Sequence, residues 1–405
     1  MNERALRAIA ECRQIATMTE EPGRITRRFL TPPTRDVHAL LRARMETLGM
    51  TVQVDAAGNL RGRSNRTGKR LLLGSHVDTV PNAGAFDGVL GVTMALECAD
   101  LAREMALQLA IDVIAFSEEE GVRFGVPFLG SRAVADRFDP ALLSLRDEAG
   151  HTLAHAIRAF DLDPNLIPAA VLDTADTLGF VEIHIEQGPV LEAENLSVAA
   201  VTGIVGQTRL TVEFAGQANH AGTTPMHLRR DALAGAAEWI SAVETHAKRT
   251  EGLVATVGKI DASPNAGNVI AGTTTLALDV RHLHDAVRLN AVNELLESAN
   301  AIAARRGLAM QSTKQMDQPA VPMDEQLSAY LVEAMEAAGL PPKRMPSGAG
   351  HDAMVMAARM PTAMLFLRSP GGISHNPAET VRDVDVEAAL EVMRGFLQRV
   401  AGEIR

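Results

Sequence analysis

The chain contains 405 residues, of which 46% are hydrophobic and 22% are charged. This length is more than one ordinary core requires, so it predicts two domains of unequal size, and the composition excludes a disordered chain and a membrane protein. Asp and Glu together number 50 against 39 Lys and Arg, which gives a formal net charge of -11. Such an acidic chain is not expected to bind nucleic acid.

The N-terminal region is rich in charged residues and contains no apolar segment of the kind found in secretory signals. No apolar run in the sequence is long enough to span a membrane. We therefore expect a cytoplasmic protein without a membrane segment. The only cysteines, Cys12 and Cys98, are far apart in helix-like surroundings, which predicts reduced thiols that bind no metal.

The first part of the chain has the pattern of a parallel α/β sheet. Helices are expected over residues 1–30 and 34–48, with Pro32 and Pro33 breaking the chain between them. A buried strand, an amphipathic helix and a second buried strand are then expected over residues 70–74, 88–103 and 109–116. In such sheets ligands collect at the carboxyl ends of the strands.

A change of pattern after Gly206 predicts a separate α+β domain. Strands of alternating polarity and amphipathic helices are expected there over residues 209–215, 229–248, 253–260, 274–281 and 285–305. They predict an antiparallel sheet with one open face, which could pair with a copy of itself. A buried strand and a helix are expected again over residues 363–367 and 384–402. The predicted domains are a catalytic domain over residues 1–206 and 319–405 and an insertion over residues 207–318.

Histidine and carboxylate residues follow the predicted strands of the first domain. His76 and Asp78 lie just after the first strand, a spacing that suits a metal-binding imidazole whose second nitrogen is held by a carboxylate, although the pattern also occurs by chance. Asp87, in Phe86-Asp87-Gly88 before a helix, could cap that helix or could be a carboxylate shared by two metal ions.

Three consecutive glutamates, Glu118, Glu119 and Glu120, follow the second buried strand. Like charges this close repel one another, so cations are expected to neutralise them, although the N-terminus of a helix would also favour them.

Two further histidines have a context that suits metal binding. His184 alternates with Glu182 and Glu186, which would place these side chains on one face of a strand that an apolar core would not favour. His375 follows a glycine pair in a loop near the end of the chain. Together with the residues above, they suggest a two-metal hydrolase, because two divalent ions need imidazole and carboxylate ligands, one shared carboxylate and one carboxylate that handles protons.

These motifs resemble those of the amidase branch of the dinuclear M20-type metallohydrolases, which comprises N-carbamoyl-L-amino acid hydrolases, β-ureidopropionases and allantoate amidohydrolases. The resemblance covers nearly the whole chain and the order of the ligand residues. It implies a mainly parallel α/β metallohydrolase domain with an inserted α+β dimerisation or lid domain. It also implies two divalent metal ions per subunit, with zinc or manganese expected and cobalt or nickel as alternatives, because imidazole and carboxylate ligands suit all four.

The resemblance also implies roles for the motif residues. Glu118 is implied to be the general base, Asp78 to orient His76, and Glu120 to have no chemical role. The implied metal ligands are His76, Asp87 and His184 for one ion and Asp87, Glu119 and His375 for the other. The peptidase relatives usually have an acidic ligand where His184 stands, so this histidine favours the amidase branch.

Residues that contact the substrate are implied in the same way. His220 resembles a histidine that reaches the active site of the partner subunit to stabilise an oxyanion, which implies a homodimer formed through the inserted domain. Asn268 and Arg281 match positions that bind the substrate carboxylate, and the planar guanidinium suits bidentate pairing. Gln187 and His351 are expected to be further contacts to the substrate.

The implied function is hydrolysis of the ureido C–N bond of an N-carbamoyl-L-amino acid or a related ureido acid, with release of ammonia and carbon dioxide. The alternatives are an allantoate amidohydrolase, an exopeptidase of the same superfamily, and a catalytically silent metal-dependent dimer that binds small acids. The expected partners are a small ureido acid and a second subunit, and neither nucleic acid nor a membrane is expected.

Overall fold

A computed structural model describes residues 1–403. The chain divides into two compact units, one formed by Met1–Thr202 with Met323–Arg405 and the other by Gly203–Pro322. The last two residues of the predicted segment 319–405 lie outside the described residues. In the described part of the chain, no helix is both long and apolar enough to cross a membrane.

Eleven α-helices and fifteen strands lie within residues 1–403. The helices are α1 (Asn2–Ala16), α2 (Pro32–Thr47), α3 (Val89–Glu104), α4 (Leu129–Val134), α5 (Leu153–Ala159), α6 (Val190–Ala193), α7 (Ala232–Arg249), α8 (Asp285–Arg306), α9 (Glu325–Ala337), α10 (Asp352–Met356) and α11 (Asp383–Glu403). The strands are β1 (Met50–Val54), β2 (Leu60–Ser64), β3 (Arg70–His76), β4 (Ala110–Phe116), β5 (Thr177–Ile185), β6 (Val198–Ile204), β7 (Gly206–Ala215), β8 (Asn219–His220), β9 (Val254–Ser263), β10 (Val269–Ile270), β11 (Thr273–His282), β12 (Ala309–Gln318), β13 (Val321–Pro322), β14 (Arg344–Ser347) and β15 (Thr362–Leu367).

The first unit is built around a sheet whose strands follow the order β1-β2-β4-β3-β5-β15-β6. The central strands β4, β3, β5 and β15 are parallel to one another, whereas the pairs at the margins are antiparallel. Every residue of β15 is buried, as expected for a parallel strand that is covered on both faces. The predicted mixed α/β fold with a mainly parallel sheet is confirmed.

Two expectations for the N-terminal region are wrong. The first helix ends at Ala16 rather than near residue 30, and the segment that follows is irregular. The buried guanidinium of Arg27 holds that segment, because it donates hydrogen bonds to the carbonyl oxygens of Ile15, Met18 and Val77. Pro32 and Pro33 do not lie between two helices but begin α2, which otherwise matches the helix expected over residues 34–48. The first helical residues have no intrahelical acceptor for their N–H groups, so the missing N–H of proline costs nothing there.

The second unit contains a four-stranded antiparallel sheet in the order β12-β7-β11-β9. Buried residues alternate along β7 and β11 and contribute to a core with residues of α7 and α8. This core includes the fully buried Trp239, whose indole N–H donates to the carbonyl oxygen of Leu295 at 2.8 Å. The strand β12 was not predicted, because its sequence is polar and most of its residues are exposed.

Candidate active site

The candidate site lies where the chain leaves the carboxyl ends of the parallel strands. His76 is the last residue of β3, the glutamate run 118–120 follows β4, and His184 lies near the end of β5. The loop that contains His375 follows β15, and Asp87 lies between β3 and α3. Because neighbouring parallel strands end at the same edge of a sheet, these side chains are brought together.

The carboxylate of Asp87 is the centre of the group. Its Oδ1 lies 3.2 Å from Nε2 of His184 and 3.7 Å from Nε2 of His76, and its Oδ2 lies 3.2 Å from Nε2 of His375. Asp87 is 4% exposed, so water cannot screen its charge. The two carboxylate oxygens therefore face imidazoles on opposite sides, which is the arrangement expected of a carboxylate shared by two cations.

The tautomers of two of these imidazoles follow from their other hydrogen bonds. Nδ1 of His76 donates to the carbonyl oxygen of Asp78 at 3.1 Å, and Nδ1 of His184 donates to the carbonyl oxygen of Ile185 at 2.8 Å. The lone pair of each neutral ring then lies on Nε2 and points at Asp87. Oδ1 of Asp87 and Nε2 of His184 have no hydrogen-bond partner, although both are buried.

These unpaired atoms fit a metal ion. Two ligands about 2.1 Å from the same ion in tetrahedral geometry lie about 3.4 Å apart, close to the spacing of the ring nitrogens and carboxylate oxygens here. A cation between them would satisfy both sets of lone pairs. The side chains thus form a donor set suited to divalent ions.

The glutamate run is arranged differently from what the resemblance implied. The carboxylate that accompanies Asp87 and His375 is that of Glu120, whose Oε1 lies 3.3 Å from Nε2 of His375. Glu119 shares a second group with His76 and Glu120, in which the ligand atoms lie within 4.8 Å of one another. Glu118 is completely buried and belongs to none of the groups found among residues 1–403.

The hydrogen bonds of Asp78 explain this orientation. Its carboxylate accepts the backbone N–H groups of Glu119 and Glu120 at 3.0 Å and 3.1 Å. These two hydrogen bonds turn the chain after β4 so that Glu119 and Glu120 approach His76, while Glu118 remains inside the fold. Asp78 also lies 3.4 Å from Nδ1 of His76, so one carboxylate orients both the imidazole and the glutamates.

The pKa shifts show how strongly this cluster favours positive charge. Burial raises the pKa of Asp87, but the nearby rings of His184, His375 and His76, when protonated, outweigh it and hold the pKa well below its ordinary value. Asp87 and Glu120 raise the pKa of His375 to about 10. Burial also raises the pKa of Glu119 well above its ordinary value, the charge of Glu120 adds to this rise, and His76 opposes it.

A glycine allows the close approach of two site residues. Gly88 has a φ of +67°, and a Cβ added there would lie 2.5 Å from ring atoms of His76. Only glycine can adopt this left-handed backbone conformation and leave room for the ring of His76.

Two residues predicted to contact the substrate lie in the first unit beside this cluster. The amide nitrogen of Gln187 donates to Oδ2 of Asp87 at 2.8 Å, so Gln187 helps to hold the central carboxylate. The ring of His351 lies 4.4 Å from the ring of His184, and its Nε2 lies 2.9 Å from the hydroxyl of Ser347.

The remaining predicted residues lie in the second unit. His220 is exposed in β8, and its Nδ1 accepts the N–H of Gly222 at 3.1 Å. The carbonyl oxygen of Asn268 accepts the N–H of Ala221 at 2.9 Å. The guanidinium of Arg281 forms a two-pronged contact with Asp279 at 2.8 Å and 3.2 Å.

Several residues of the cluster were not assigned from the sequence. Glu120 was given no role, because nothing in a run of identical residues tells which side chain points toward the metal ligands. Glu182 accepts hydrogen bonds from the hydroxyl of Ser75 and the N–H of Ala353, which explains how a carboxylate is tolerated in buried β5. The alternation of polar residues in β5 was the signal for this buried carboxylate.

The comparisons with known proteins agree with this class of site. The family model described as Peptidase family M20/M25/M40 matches residues 72–399. An N-carbamoyl-L-amino acid amidohydrolase of Geobacillus stearothermophilus is 38% identical, over 92% of this chain and 92% of that protein. An allantoate deiminase of Arabidopsis thaliana is 37% identical, over 96% of this chain and 81% of that protein.

Solved structures of amidases are also similar to this chain. An amidase of the hydantoinase/carbamoylase family from Burkholderia multivorans has a TM-score of 0.92 and 32% sequence identity, and the match covers 98% of each chain. The chain therefore belongs to peptidase family M20/M25/M40. The predicted membership of the M20-type hydrolases is confirmed.

Proposed function

We propose that the chain is a metal-dependent amidohydrolase that cleaves the ureido C–N bond of an N-carbamoyl-L-amino acid or a related ureido acid. The observation that carries this proposal is the single carboxylate of Asp87 between the imidazoles of His76, His184 and His375. It is supported by similarity to proteins named N-carbamoyl-L-amino acid amidohydrolase and allantoate deiminase.

The site would hold two divalent ions, with zinc or manganese as the favoured metals and cobalt or nickel as alternatives. His76, His184 and Asp87 would hold one ion, and Asp87, Glu120 and His375 would hold the other. When bound, such ions act as Lewis acids toward a carbonyl oxygen and lower the pKa of a water from 15.7 to roughly 7.

We assign the proton transfer to Glu119. Glu119 is 8% exposed, and its backbone N–H is fixed by the hydrogen bond to Asp78. Glu119 would accept a proton from the attacking water as the oxygen adds to the ureido carbon, and would then return it to the leaving nitrogen as the C–N bond breaks. Cleavage of this bond gives the amino acid and carbamic acid, and the carbamic acid then breaks down to ammonia and carbon dioxide. Glu118 cannot take this role without a rearrangement, because no part of it is exposed.

We further propose that residues of the second unit bind the substrate. Nδ1 of His220 accepts a hydrogen bond from Gly222, so the proton of the neutral ring lies on Nε2, which can donate to a developing oxyanion. In this proposal His220 serves the site of a second subunit in a homodimer. Arg281 and Asn268 would bind the substrate carboxylate, and Gln187 and His351 would contact the ureido group.

Two alternative functions differ from the proposed one in the substrate that would be cleaved. An allantoate amidohydrolase would use the same site, because allantoate also presents a carboxylate beside a ureido group, and the similarity to an allantoate deiminase favours this candidate. An exopeptidase of the same superfamily is disfavoured by His184, since the peptidase relatives usually have an acidic ligand there. The cytoplasmic location of the protein stays a prediction.

The proposal is tested by ammonia release from N-carbamoyl-L-amino acids, 3-ureidopropionate and allantoate, and by release of free amino acids from dipeptides. The enzyme is first stripped with a chelator and then reconstituted with manganese or zinc. We expect no turnover of the stripped enzyme and metal-dependent release of ammonia from at least one ureido acid. Cleavage of dipeptides alone would favour the exopeptidase, and no turnover of any compound would contradict an enzyme of this class.

A further inference from the structure

The loop that contains Asp87 is held by a carboxylate from the C-terminal part of the chain. Oε1 of Glu379 accepts the backbone N–H of Phe86 at 2.8 Å and that of Asp87 at 3.0 Å. Glu379 is 6% exposed, so these hydrogen bonds are shielded from water. It follows His375 by four residues. One side chain therefore joins the Asp87 loop to the loop of His375.

A serine next to His375 strengthens this link. The hydroxyl of Ser374 lies 2.8 Å from Oδ2 of Asp87 and 3.2 Å from Oε2 of Glu379. A hydroxyl has one proton, so it can donate fully to only one of these carboxylates at a time. The amide of Gln187 lies 3.3 Å from the same hydroxyl and supplies a further donor.

The fold makes room for the link at a glycine. A Cβ added to Gly84 would lie within 2.5 Å of three side-chain atoms of Glu379, including Cβ and Oε1. Any side chain at residue 84 would therefore displace the carboxylate from the two N–H groups.

The two proposed metal positions differ in how their ligands are supported. His76 and His184 lie on strands, are each 1% exposed, and have their rings fixed by backbone carbonyl groups. His375 lies on a loop, its side chain is 48% exposed, and its φ is +54°. Packing therefore fixes two ligands of the first position, which His76, His184 and Asp87 form. The second position, formed by Asp87, Glu120 and His375, depends on contacts between loops.

We infer that Glu379 and Ser374 are positioning residues that set the affinity for the ion held by Asp87, Glu120 and His375. This inference rests on the proposed two-ion site. Glu379 fixes the backbone of Asp87, and Ser374 orients its Oδ2 toward the imidazole of His375. Without the pair, the second position loses the support of two of its ligands, Asp87 and His375, whereas the first position keeps His76 on β3 and His184 on β5.

The test measures metal binding directly in wild-type protein and in Glu379→Ala, Glu379→Gln and Ser374→Ala variants. Equilibrium dialysis against Mn²⁺ or Co²⁺ with elemental analysis gives the number of ions and their affinities, and the visible spectrum of the Co²⁺ forms reports ligand geometry. We expect Glu379→Ala to bind the second ion about 10–100-fold more weakly, because residues that orient metal ligands have effects of this size. The first ion should lose less affinity, because two of its three ligands, His76 and His184, are held by β3 and β5.

Two variants separate positioning from loss of charge and from general destabilisation. Glu379→Gln keeps an oxygen that accepts both N–H groups, so we expect it to restore most of the affinity. Asp55→Ala is the matched control, because Asp55 is 7% exposed and also accepts two backbone N–H groups, those of Ala57 and Asn59. It should lower stability and leave both ions bound.

Each possible result has a defined meaning. Unchanged affinity for the second ion in Glu379→Ala, equal losses in Glu379→Ala and Glu379→Gln, or an equal loss in Asp55→Ala would each overturn the inference. If wild-type protein itself binds no ion, both the proposed function and this inference fail. If wild-type protein binds two ions and the variants do not behave as described, only the inference fails.

Discussion

The side chain of Asp87 shows how single contacts decide the chemistry of this site. Three ring nitrogens face its carboxylate. Those of His76 and His184 carry no proton in the neutral ring, because the Nδ1–H groups of both rings already donate to backbone carbonyl groups. A carboxylate that faces imidazole lone pairs is repelled unless a cation or a proton lies between them. The cluster is therefore stable with bound metal or with protonated rings, and this dependence is the basis of the proposed activity.

The first prediction separates the members of the glutamate run. Glu119→Gln should keep its ions but lower kcat by about 10²–10⁴-fold, since general acid–base catalysis typically contributes that factor. Glu120→Gln should weaken the binding of one ion, and Glu118→Gln should retain most of the turnover. Steady-state kinetics with elemental analysis of each variant checks this. If Glu118→Gln lost turnover with full metal content while Glu119→Gln kept it, the assignment made here would be wrong.

The second prediction concerns Gly88. Gly88→Ala places a methyl group against the ring of His76, so we expect weaker binding of the first ion together with a backbone strain of about 1–2 kcal/mol. Gly150→Ala is the control, because its φ is +82° but no atom lies within 4 Å of the added Cβ. Titration with Mn²⁺ should find weakened binding only in Gly88→Ala. Equal metal affinities in the two variants would show that the contact with His76 is unimportant.

At the scale of whole elements, apolar patterns predicted the sheet better than they predicted its connections. The helix α3 and the strands β3, β4 and β15 lie where long apolar runs placed them. The long N-terminal helix was an error, because Pro22 and Gly23 interrupt the helical pattern and tertiary hydrogen bonds of Arg27 hold the segment after Ala16 in an irregular path. Contacts of this kind cannot be deduced from local sequence.

The helix α2 leads to a prediction about pH. Its His38 is 5% exposed, and burial, with the charges of Arg42 and Arg35, lowers the pKa of His38 from 6.5 to about 4. The unfolded chain therefore binds a proton that the folded chain does not, so stability is lost as the pH falls from 6.5 toward 4. Between pH 7.5 and pH 5 this one group should lower the free energy of unfolding by about 2 kcal/mol.

Denaturant unfolding of wild-type protein and of His38→Gln at both pH values checks this contribution. The variant should lose less stability on acidification, and the same substitution at the exposed His227 should leave the wild-type pH dependence unchanged. If His38→Gln and wild type lose the same free energy between pH 7.5 and pH 5, His38 is not held neutral in the folded protein.

For the molecule as a whole, the sequence predicted the type of chemistry more fully than the geometry that performs it. His76, Asp87, His184 and His375 each stand alone in a recognisable motif, and the structure brings them together. The tautomers, the orientation of the glutamates and the link through Glu379 depend on contacts such as that between Glu379 and Phe86, which are 293 residues apart. No local pattern contains that information.

Metal removal should affect the two units differently. Ions present at about 100 times their Kd stabilise the folded state by about 2.7 kcal/mol for each site, and the proposed ligands all lie in the first unit. The only tryptophan, Trp239, is buried in the second unit, so its fluorescence reports the unfolding of that unit. A chelator should lower the midpoint of the main calorimetric transition more than the fluorescence midpoint. No shift by either method would contradict a metal site in the first unit.

The proposed chemistry requires that Asp87 is shared by two metal ions. Anomalous diffraction from crystals grown with manganese or zinc, measured above and below the absorption edge, tests this most directly. A carboxylate shared by two ions requires two peaks beside Asp87, one next to His76 and His184 and the other next to Glu120 and His375. A single peak, peaks elsewhere in the chain, or no peak in crystals of active enzyme would contradict it.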